Sequence, residues 1–249
     1  MQYQIKRNKR ISVVLILCLV IGLWGCDAEK KNIGFQKTEP ATTAKPLQQL
    51  PISLQELLAK NPDAEEYVMG YFENKDRQFT IDLQKESEAD CVPRLYQWDK
   101  RWGYRTYAGE LMGISGCGPT CLSMVCLYLL RDSKYDPGYI ARFSQQNGYS
   151  VEGSGSAWTL ISQGGKELGL DVVEIPLDKN RIVRNLEVGN PIICVMGPGD
   201  FTTTGHFIVL TGHTDGKVSV NDPNSIRNSE ERWDLERIMP QIRNLWVCR

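Results

Sequence analysis

The stretch "ISGCGPTCLSMVCLYLL", residues 114–130, decides how the fold of this chain is interpreted. It places Cys117 between Gly116 and Gly118, follows them with Pro119, and then continues as an apolar run. Proline is tolerated in the first turn of a helix, because its missing N–H would have no helical partner there in any case. The pattern therefore predicts a buried, rigid helix that begins at about Cys117.

A thiol at the start of a helix differs chemically from a thiol inside it. The free N–H groups and the positive end of the helix dipole favour a thiolate, and such sites lower the thiol pKa below the free value of about 8.5. Gly116 and Gly118 also permit a tight turn and the close approach of a substrate. We therefore expect Cys117 to be a nucleophile and Gly116 to lie in the substrate-binding site. Cys121 and Cys126, inside the run, should pack as small hydrophobic side chains.

A nucleophilic thiol needs a base, and the chain contains only two histidines. His206 opens the apolar strand sequence "GHFIVLTGH" and follows Gly205, which we place in the substrate-binding site. His213 lies beside the turn sequence "TDG", where we expect it to be exposed. The cysteine context favours His206 as the base. The alternative is that His206 only ends a strand and makes one backbone hydrogen bond.

The third member of a triad orients the imidazole. Asp222, in "KVSVNDPNS", is the candidate for this role. Asn221 and Asn224 are the alternatives, because an amide oxygen can accept the same hydrogen bond.

The turn between the two strands decides whether Asp222 can reach His206. A two-residue turn would place Asp222 opposite Val209, on the face that points away from His206. A three-residue turn would place it opposite Ile208, on the same face as His206 and one step along the strand. We therefore predict the longer turn, with Gly216 in the left-handed conformation.

An acyl-transfer site also needs donors for the oxyanion that forms during attack. The backbone N–H of Cys117, at the helix start, is one donor. Gln97, in "VPRLYQWDKRWG", could supply a second from its side-chain amide. Position alone does not distinguish Gln97 from a surface glutamine.

The first 26 residues have the pattern of a signal peptide. Four basic residues precede "ISVVLILCLVIGL", an apolar run of 13 residues. As a helix this run would span about 20 Å, less than the hydrocarbon core of about 30 Å. The run ends in "LWGC", which resembles a lipobox with Cys26 as the lipidated residue; the alternative is an uncleaved anchor. Both versions predict export, with the folded part at the outer face of the cytoplasmic membrane.

The rest of the chain divides into three regions. Residues 27–50 are polar and aperiodic and predict a flexible tether. Residues 51–90 predict a small helical N-terminal extension. Residues 91–249 predict the main domain, helix-rich first and then rich in largely antiparallel strands, which is an α+β order. A hydrophobic content of 41% and a charged content of 24% are typical of a folded chain.

Several classes of function are disfavoured by what the sequence lacks. It has no basic stripe with interleaved aromatic residues, so we expect no nucleic-acid binding. No histidine or acidic residue lies at zinc-ligand spacing from the cysteines, so we expect no metal site. The spacing of Cys117 and Cys121 is CxxxC rather than CxxC, which gives little support to thiol–disulfide exchange. We expect no cofactor, and the sequence leaves the oligomeric state open.

Four motifs in order, "YQWDKRWG", "SGCGPTCLSMV", "GHFIVLTG" and "VNDPNS", resemble those of papain-like cysteine peptidases. The similarity is to the relatives of the bacteriocin-leader (double-glycine) processing peptidases, in their stand-alone secreted or lipoprotein branch, and covers about residues 91–249. It implies a papain-like α+β fold, in which a helical lobe with the nucleophile helix packs on an antiparallel β-sheet lobe. The resemblance assigns Cys117 as nucleophile, His206 as base and Asp222 as orienting residue. It assigns Gln97 as oxyanion donor.

The function predicted from these observations is an extracytoplasmic, membrane-tethered cysteine peptidase. It would hydrolyse a peptide or protein substrate through an acyl-enzyme. Two alternatives remain at this point. One is a catalytically idle surface module that binds peptides or cell-wall material. The other is a transpeptidase or acyltransferase that uses the same site but passes the acyl group to an amine.

Overall fold

The structure, a computed structural model, describes residues 47–249. The predicted signal peptide, the Cys26 lipidation site and the first part of the predicted tether lie outside the described residues. The last part of the predicted tether is folded, because Leu47–Gln49 forms a 3-10 turn and Leu50 is buried. Between residues 47 and 249, none of the helices combines the length and the apolar character that a membrane crossing needs.

The described chain alternates short helices and strands. The α-helices are α1 (Ile52–Lys60), α2 (Glu65–Met69), α3 (Tyr71–Asn74), α4 (Gln84–Glu88), α5 (Met112–Ser115), α6 (Cys117–Leu130), α7 (Pro137–Gln146), α8 (Gly165–Glu167), α9 (Lys179–Glu187), α10 (Ile226–Glu230) and α11 (Leu235–Ile238). The strands are β1 (Thr106–Tyr107), β2 (Glu110–Leu111), β3 (Ser150–Val151), β4 (Gly155–Ser156), β5 (Val172–Glu174), β6 (Ile192–Met196), β7 (His206–Thr214), β8 (Lys217–Asn221), β9 (Arg232–Asp234) and β10 (Ile242–Cys248). A π-helical turn, Leu160–Gly164, precedes α8, and 3-10 turns occupy Pro62–Ala64 and Met239–Gln241.

The helix α6 is the centre of the helical half of the fold. All residues from 118 to 127 are buried, because the helix packs against α7, against α4 and against strand β7. A helix that is apolar on every side must be buried on every side. The prediction of a buried, rigid helix from the run after Cys117 is confirmed.

The second half of the fold is one six-stranded antiparallel sheet with the strand order β5-β10-β6-β7-β8-β9. Alternate residues of its central strands enter two different cores, as the period of two requires. Ile193, Val195 and Val209 lie in the core that contains α6. Cys194 and Ile208 lie in the core on the opposite face, which contains residues of α9 and α11. The predicted α+β class is therefore confirmed.

The turn between β7 and β8 differs from the prediction. It is a two-residue turn, because Thr214 pairs with Lys217, and Asp215 and Gly216 between them have φ angles of 52° and 77°. Positive φ angles at both central residues are the requirement of a type I′ hairpin, for which Asp-Gly is a preferred sequence. The longer turn predicted for this hairpin is wrong.

A β-bulge in β7 restores the register that the longer turn was expected to give. Leu210 pairs with Val220, but Gly212 pairs with Ser219, so Thr211 is the additional residue. A bulge of this kind places two residues of one strand opposite one residue of its partner. The shifted register pairs residue 209 with residue 221 and therefore brings position 222 opposite position 208.

Candidate active site

The helix break at Gly116 places the Cys117 thiol at the start of α6. Helix α5 ends at Ser115, and α6 begins at Cys117 after Gly116. A side chain at Gly116 is excluded, because a Cβ there would lie 2.4 Å from the carbonyl oxygen of Met112. Cys117 is half-buried and packs against the core at the edge of the helical half. The helix start predicted from Pro119 is confirmed.

His206 lies beside Cys117 because β7 begins next to the start of α6. It is the first residue of β7, opposite Met196 of β6, and only 8% of its side chain is exposed. Its ring lies close enough to the Cys117 thiol to lower the pKa of that thiol. The Nε2 atom lies 2.7 Å from Oδ1 of Asp222, which leaves Nδ1 as the ring nitrogen that faces the thiol. The structure thus brings Cys117, His206 and Asp222 together, with His206 between the other two.

Asp222 is held by a dense set of donors. Its side chain is 1% exposed. Besides His206, the Oδ1 atom accepts a 2.8 Å hydrogen bond from the backbone N–H of Asn224. The Oδ2 atom accepts one of 2.8 Å from Nδ2 of Asn228. These bonds satisfy both oxygens of a buried carboxylate, which would otherwise be costly to bury.

Two of the residues that hold Asp222 were not identified from the sequence. Asn228 donates to the carboxylate, and the Ser229 hydroxyl accepts a 2.9 Å hydrogen bond from the Asp222 backbone N–H. Both lie on α10, where Ser225 is the N-cap residue and accepts from the Asn228 N–H. The cap signal in "PNSIRNSE" could have located this helix, and a helix there directs Asn228 back toward Asp222.

The electrostatics of the three residues support a thiolate–imidazolium pair. Burial by itself would raise the pKa of the Cys117 thiol, but the hydrogen bond and charge of His206 outweigh it and lower that pKa. Burial would likewise lower the pKa of His206, but the charge of Asp222 and its hydrogen bond raise that pKa well above 6.5. Burial would raise the pKa of Asp222, and the His206 charge and hydrogen bond lower it. Each partner therefore favours the charged form of its neighbour.

Two backbone N–H groups also stabilise the thiolate. The N–H groups of Gly118 and Phe207 interact with the Cys117 sulfur, and both lower its pKa. One belongs to the first turn of α6, as the helix-start argument requires, and the other to the residue after His206. The buried thiol of Cys121, one turn further along the helix, has the opposite environment, because burial raises its pKa well above the ordinary value.

Gln97 is buried and close to the helix start, but its amide is already engaged. Its Nε2 donates to the carbonyl oxygens of Gly113 at 2.9 Å and Ile114 at 3.0 Å. The Oε1 atom is buried and has no hydrogen-bond partner among residues 47–249. The two carbonyls fix which end of the amide faces them, because a reversed amide would set oxygen against oxygen. The oxyanion role of Gln97 stays a prediction.

His213 lies at the far end of β7 from the triad. It pairs with Val218, and its Nδ1 lies 3.8 Å from a carboxylate oxygen of Glu187. It lies seven steps along the strand from His206, which is about 23 Å at about 3.3 Å per residue. Its side chain is only 13% exposed, so the expected exposure is wrong. His206 is the histidine that lies beside Cys117.

Two segments lie beside the three residues: the β3–β4 hairpin and the chain that precedes His206. A Cβ on Gly118 would lie 2.4 Å from Oγ of Ser156, so the β3–β4 hairpin contacts the first turn of α6. On the other side, Gly205 precedes His206 and is exposed, with open space where a side chain would be. Gly116, by contrast, is buried beneath Met112. The substrate-binding roles of Gly116 and Gly205 stay predictions.

The remaining thiols do not form disulfides in residues 47–249. Cys91 is exposed, and Cys121, Cys126, Cys194 and Cys248 are buried as free cysteines. Burial raises the pKa of Cys248 to about 12, so this thiol is protonated at neutral pH. In the same part of the chain, no group of three or more histidine, cysteine or acidic side chains could hold a metal ion.

Comparison with known proteins gives three findings. A protein-family model described as the Peptidase_C39 like family matches residues 90–247. The chain is similar to the peptidase domain of Streptococcus ComA, a bi-functional ABC transporter involved in a quorum sensing pathway. The two sequences are 21% identical, the match covers 53% of this chain and 89% of that chain, and the TM-score is 0.43. It is also similar to a protein from Bacillus anthracis solved as a C39-like peptidase, with 15% identity, 66% and 95% covered, and a TM-score of 0.43. No curated protein sequence matches it.

Proposed function

The chain belongs to the Peptidase_C39 like family, and on this premise we propose that it is a cysteine peptidase with Cys117, His206 and Asp222 as its catalytic triad. The observation that carries the proposal is that the Cys117 thiol lies beside the His206 imidazole, which is in turn hydrogen-bonded to the Asp222 carboxylate at 2.7 Å. A nucleophile, a base within hydrogen-bond reach and a group that orients the base are what covalent acyl transfer requires.

The proposed mechanism begins with the charged pair. His206 takes the Cys117 proton, and the thiolate attacks the carbonyl carbon of a peptide bond to give a tetrahedral oxyanion. The imidazolium then gives its proton to the leaving amine, and an acyl-enzyme on Cys117 remains. Water, deprotonated by His206, attacks the acyl group and releases the carboxylic acid. Throughout, Asp222 holds the imidazole by Nε2, so that Nδ1 faces the sulfur.

We propose two donors for the oxyanion. The backbone N–H of Cys117 is one, because it lies in the first turn of a helix, where N–H groups lack carbonyl partners within the helix. Gln97 is the other. Its two amide hydrogens are directed at two backbone carbonyls, so one of them must turn from Gly113 or Ile114 when the oxyanion forms. Such a donor in a water-excluded site contributes about 3–4 kcal/mol to the stability of the transition state.

The cellular setting is also a proposal. The basic residues, the apolar run and "LWGC" at residues 23–26 support a signal peptide with lipidation at Cys26. The peptidase would then act on peptides or proteins at the outer face of the cytoplasmic membrane. One acyl chain gives only marginal membrane binding, whereas two or more give stable anchoring.

The peptidase assignment is tested with a complex peptide pool and mass spectrometry of the products. Wild type should cleave a subset of the peptides, and Cys117→Ala should cleave none while keeping the same melting temperature. Cys91→Ala is the matched control, because Cys91 is an exposed thiol outside the triad, and it should cleave at the wild-type rate. Cleavage that persists in Cys117→Ala would contradict the assignment.

The same pool separates hydrolysis from acyl transfer. With a primary amine added, a hydrolase gives free carboxylic acids as its main products, and an acyltransferase gives amides. Amide products that dominate at millimolar amine would move the proposal from peptidase to acyltransferase with the same triad. A chain that neither cleaves nor transfers, and whose Cys117 is alkylated slowly at low pH, would favour the binding module.

A further inference from the structure

We propose that the helical segment Ile52–Asn74, which precedes the region matched by the family model, positions the catalytic carboxylate, with Asn61 and Asp63 as its positioning residues. The inference rests on the proposed function, because it concerns the same triad. Two series of hydrogen bonds connect this segment to Asp222, one through Asn61 and one through Asp63.

The first series runs through Asn61. Its side chain is the N-cap of the 3-10 turn after α1, with Oδ1 accepting from the Asp63 N–H at 3.2 Å. Its Nδ2 donates to the carbonyl oxygen of Asn224. Asn61 is 7% exposed, so water competes little for this bond. The Asn224 backbone N–H in turn donates to Oδ1 of Asp222, the same oxygen that faces His206.

The second series runs through Asp63. Its carboxylate accepts a 3.1 Å hydrogen bond from the Ile226 N–H, the first residue of α10. That helix carries the two residues that hold Asp222, Asn228 and Ser229. A carboxylate at a helix N-terminus stabilises that end through its free N–H groups and the helix dipole. Asp63 therefore acts on Asp222 through the helix that supports it.

The segment can transmit these contacts because it is firmly packed on the main domain. Tyr67 donates a 2.8 Å hydrogen bond to the Gly103 carbonyl, and Tyr104 donates one of 2.6 Å to the Tyr67 carbonyl. The two rings stack with centroids 4.5 Å apart. Tyr67 also fills the space beside Gly113, where a Cβ would lie 2.4 Å from its hydroxyl oxygen. The carbonyl of Gly113 is one of the two that fix Gln97.

The consequence is electrostatic. If the loop from Pro223 to Ile226 loses its contact with the segment, the Asp222 carboxylate moves relative to Nε2 of His206. The imidazolium then loses part of its stabilisation, and the thiolate loses part of its partner. The pKa of Cys117 should rise toward the free-thiol value, although neither Asn61 nor Asp63 touches Cys117.

The test measures the pH dependence of iodoacetamide alkylation at Cys117, in the full chain, by peptide mass spectrometry. Asn61→Ser keeps an oxygen that can cap the 3-10 turn but is too short to reach Asn224. Asn74→Ser is the matched control: Asn74 lies in the same segment and donates to the Gly70 carbonyl, away from the triad. Cys91, the exposed thiol, reports reagent reactivity in every sample.

We expect Asn61→Ser to shift the alkylation midpoint upward by about one pH unit, which makes labelling on the acid side about tenfold slower. Asn74→Ser should keep the wild-type midpoint, and circular dichroism should show that both variants are folded. A midpoint in Asn61→Ser equal to that of wild type would overturn the proposal. A wild-type midpoint near the free-thiol value of about 8.5 would instead overturn the triad itself, so the two failures are distinguishable.

A second variant covers the case in which Asn61→Ser does not fold. Asp63 is exposed, so Asp63→Ala should fold, and it removes only the bond to Ile226. We expect a shift of the alkylation midpoint in the same direction, by about half a pH unit, which is about a threefold change in rate. Glu65→Ala, an exposed acid on α2, controls for the lost charge. Equal midpoints in Asp63→Ala and Glu65→Ala would refute the role of Asp63.

Discussion

Asp222→Asn should remove the negative charge of the triad and keep the arrangement of its side chains. The variant keeps an oxygen opposite His206 and the Asn224 N–H, but it replaces Oδ2 by an NH2 group that faces Nδ2 of Asn228. Two donors then oppose each other 2.8 Å apart, unless the Asn228 amide turns over and presents its oxygen. That rotation costs little, and we expect the variant to fold with the imidazole still held through Nε2.

The size of the effect follows from the distance and the burial. Two unit charges about 4 Å apart attract by about 4 kcal/mol at an effective dielectric constant of about 20, and Asp222 and His206 are closer than that. Part of this energy is offset, because the variant no longer has to desolvate a carboxylate. A net loss of about 1.5–3 kcal/mol remains, which lowers the pKa of His206 by about one to two units. The thiolate of Cys117 loses the same amount of stabilisation.

The assay is kcat/KM for a cleaved peptide as a function of pH, together with the alkylation rate of Cys117. We expect a loss of about 10-fold to 100-fold in kcat/KM at pH 6, and the alkaline side of the pH profile should move to lower pH because the pKa of His206 falls. The double variant Asp222→Asn with Asn228→Asp returns a carboxylate to the neighbouring position, and it should recover part of the loss. Asn228→Asp alone places two carboxylates together and should not.

Two results would refute this reasoning. If Asp222→Asn keeps the wild-type pH profile, then the carboxylate charge does not set the state of His206. If the double variant is no better than Asp222→Asn, then the effect of Asp222 is geometric rather than electrostatic.

The other predictions concern the pH range, the contact between α6 and the β3–β4 hairpin, and the N-terminus. The rate of wild type should follow a bell-shaped curve against pH: the acid side falls as pH drops through the lowered pKa of Cys117, and the alkaline side falls as pH rises through the raised pKa of His206. Gly118→Ala places a Cβ 2.4 Å from Oγ of Ser156, so thermal melts should show a free energy of unfolding that is lower by about 1–3 kcal/mol. Adding Ser156→Gly to this variant should restore part of the lost stability. No change in either melt would contradict the contact. Metabolic labelling with an alkyne fatty acid should modify wild type but not Cys26→Ser, and equal labelling of both would rule out lipidation at Cys26.

The parts of the site that depend on local signals could be predicted from the sequence. The start of α6 follows from glycine and proline around Cys117. His206 could be chosen because the chain has only one other histidine. For the helix start, the deciding interactions lie within a few residues along the chain.

The register of the β7–β8 hairpin shows what a local signal does not contain. Asp215 and Gly216 are a preferred type I′ turn pair, and that turn by itself would have directed Asp222 away from His206. The bulge at Thr211 corrects the register, but nothing around Thr211 marks a bulge, because a bulge is fixed by packing across the whole sheet. The proximity of Asp222 to His206, which the structure shows, was therefore predicted through a turn that does not exist. The contacts from Asn61 and Asp63 join residues about 160 positions apart, and no periodicity reveals them.

The position of β10 in the sheet has a consequence for how the protein folds. This strand, Ile242–Cys248, lies between β5 and β6, and the next residue, Arg249, exchanges two 2.9 Å backbone hydrogen bonds with Asp171. Because β5 and β6 precede β10 along the chain, the edge of each strand that pairs with β10 stays unpaired until β10 is available. Pairings between distant residues are the slow step in folding. The strand that begins with His206 pairs with β6, and so the candidate site should be complete only after β10 has joined the sheet.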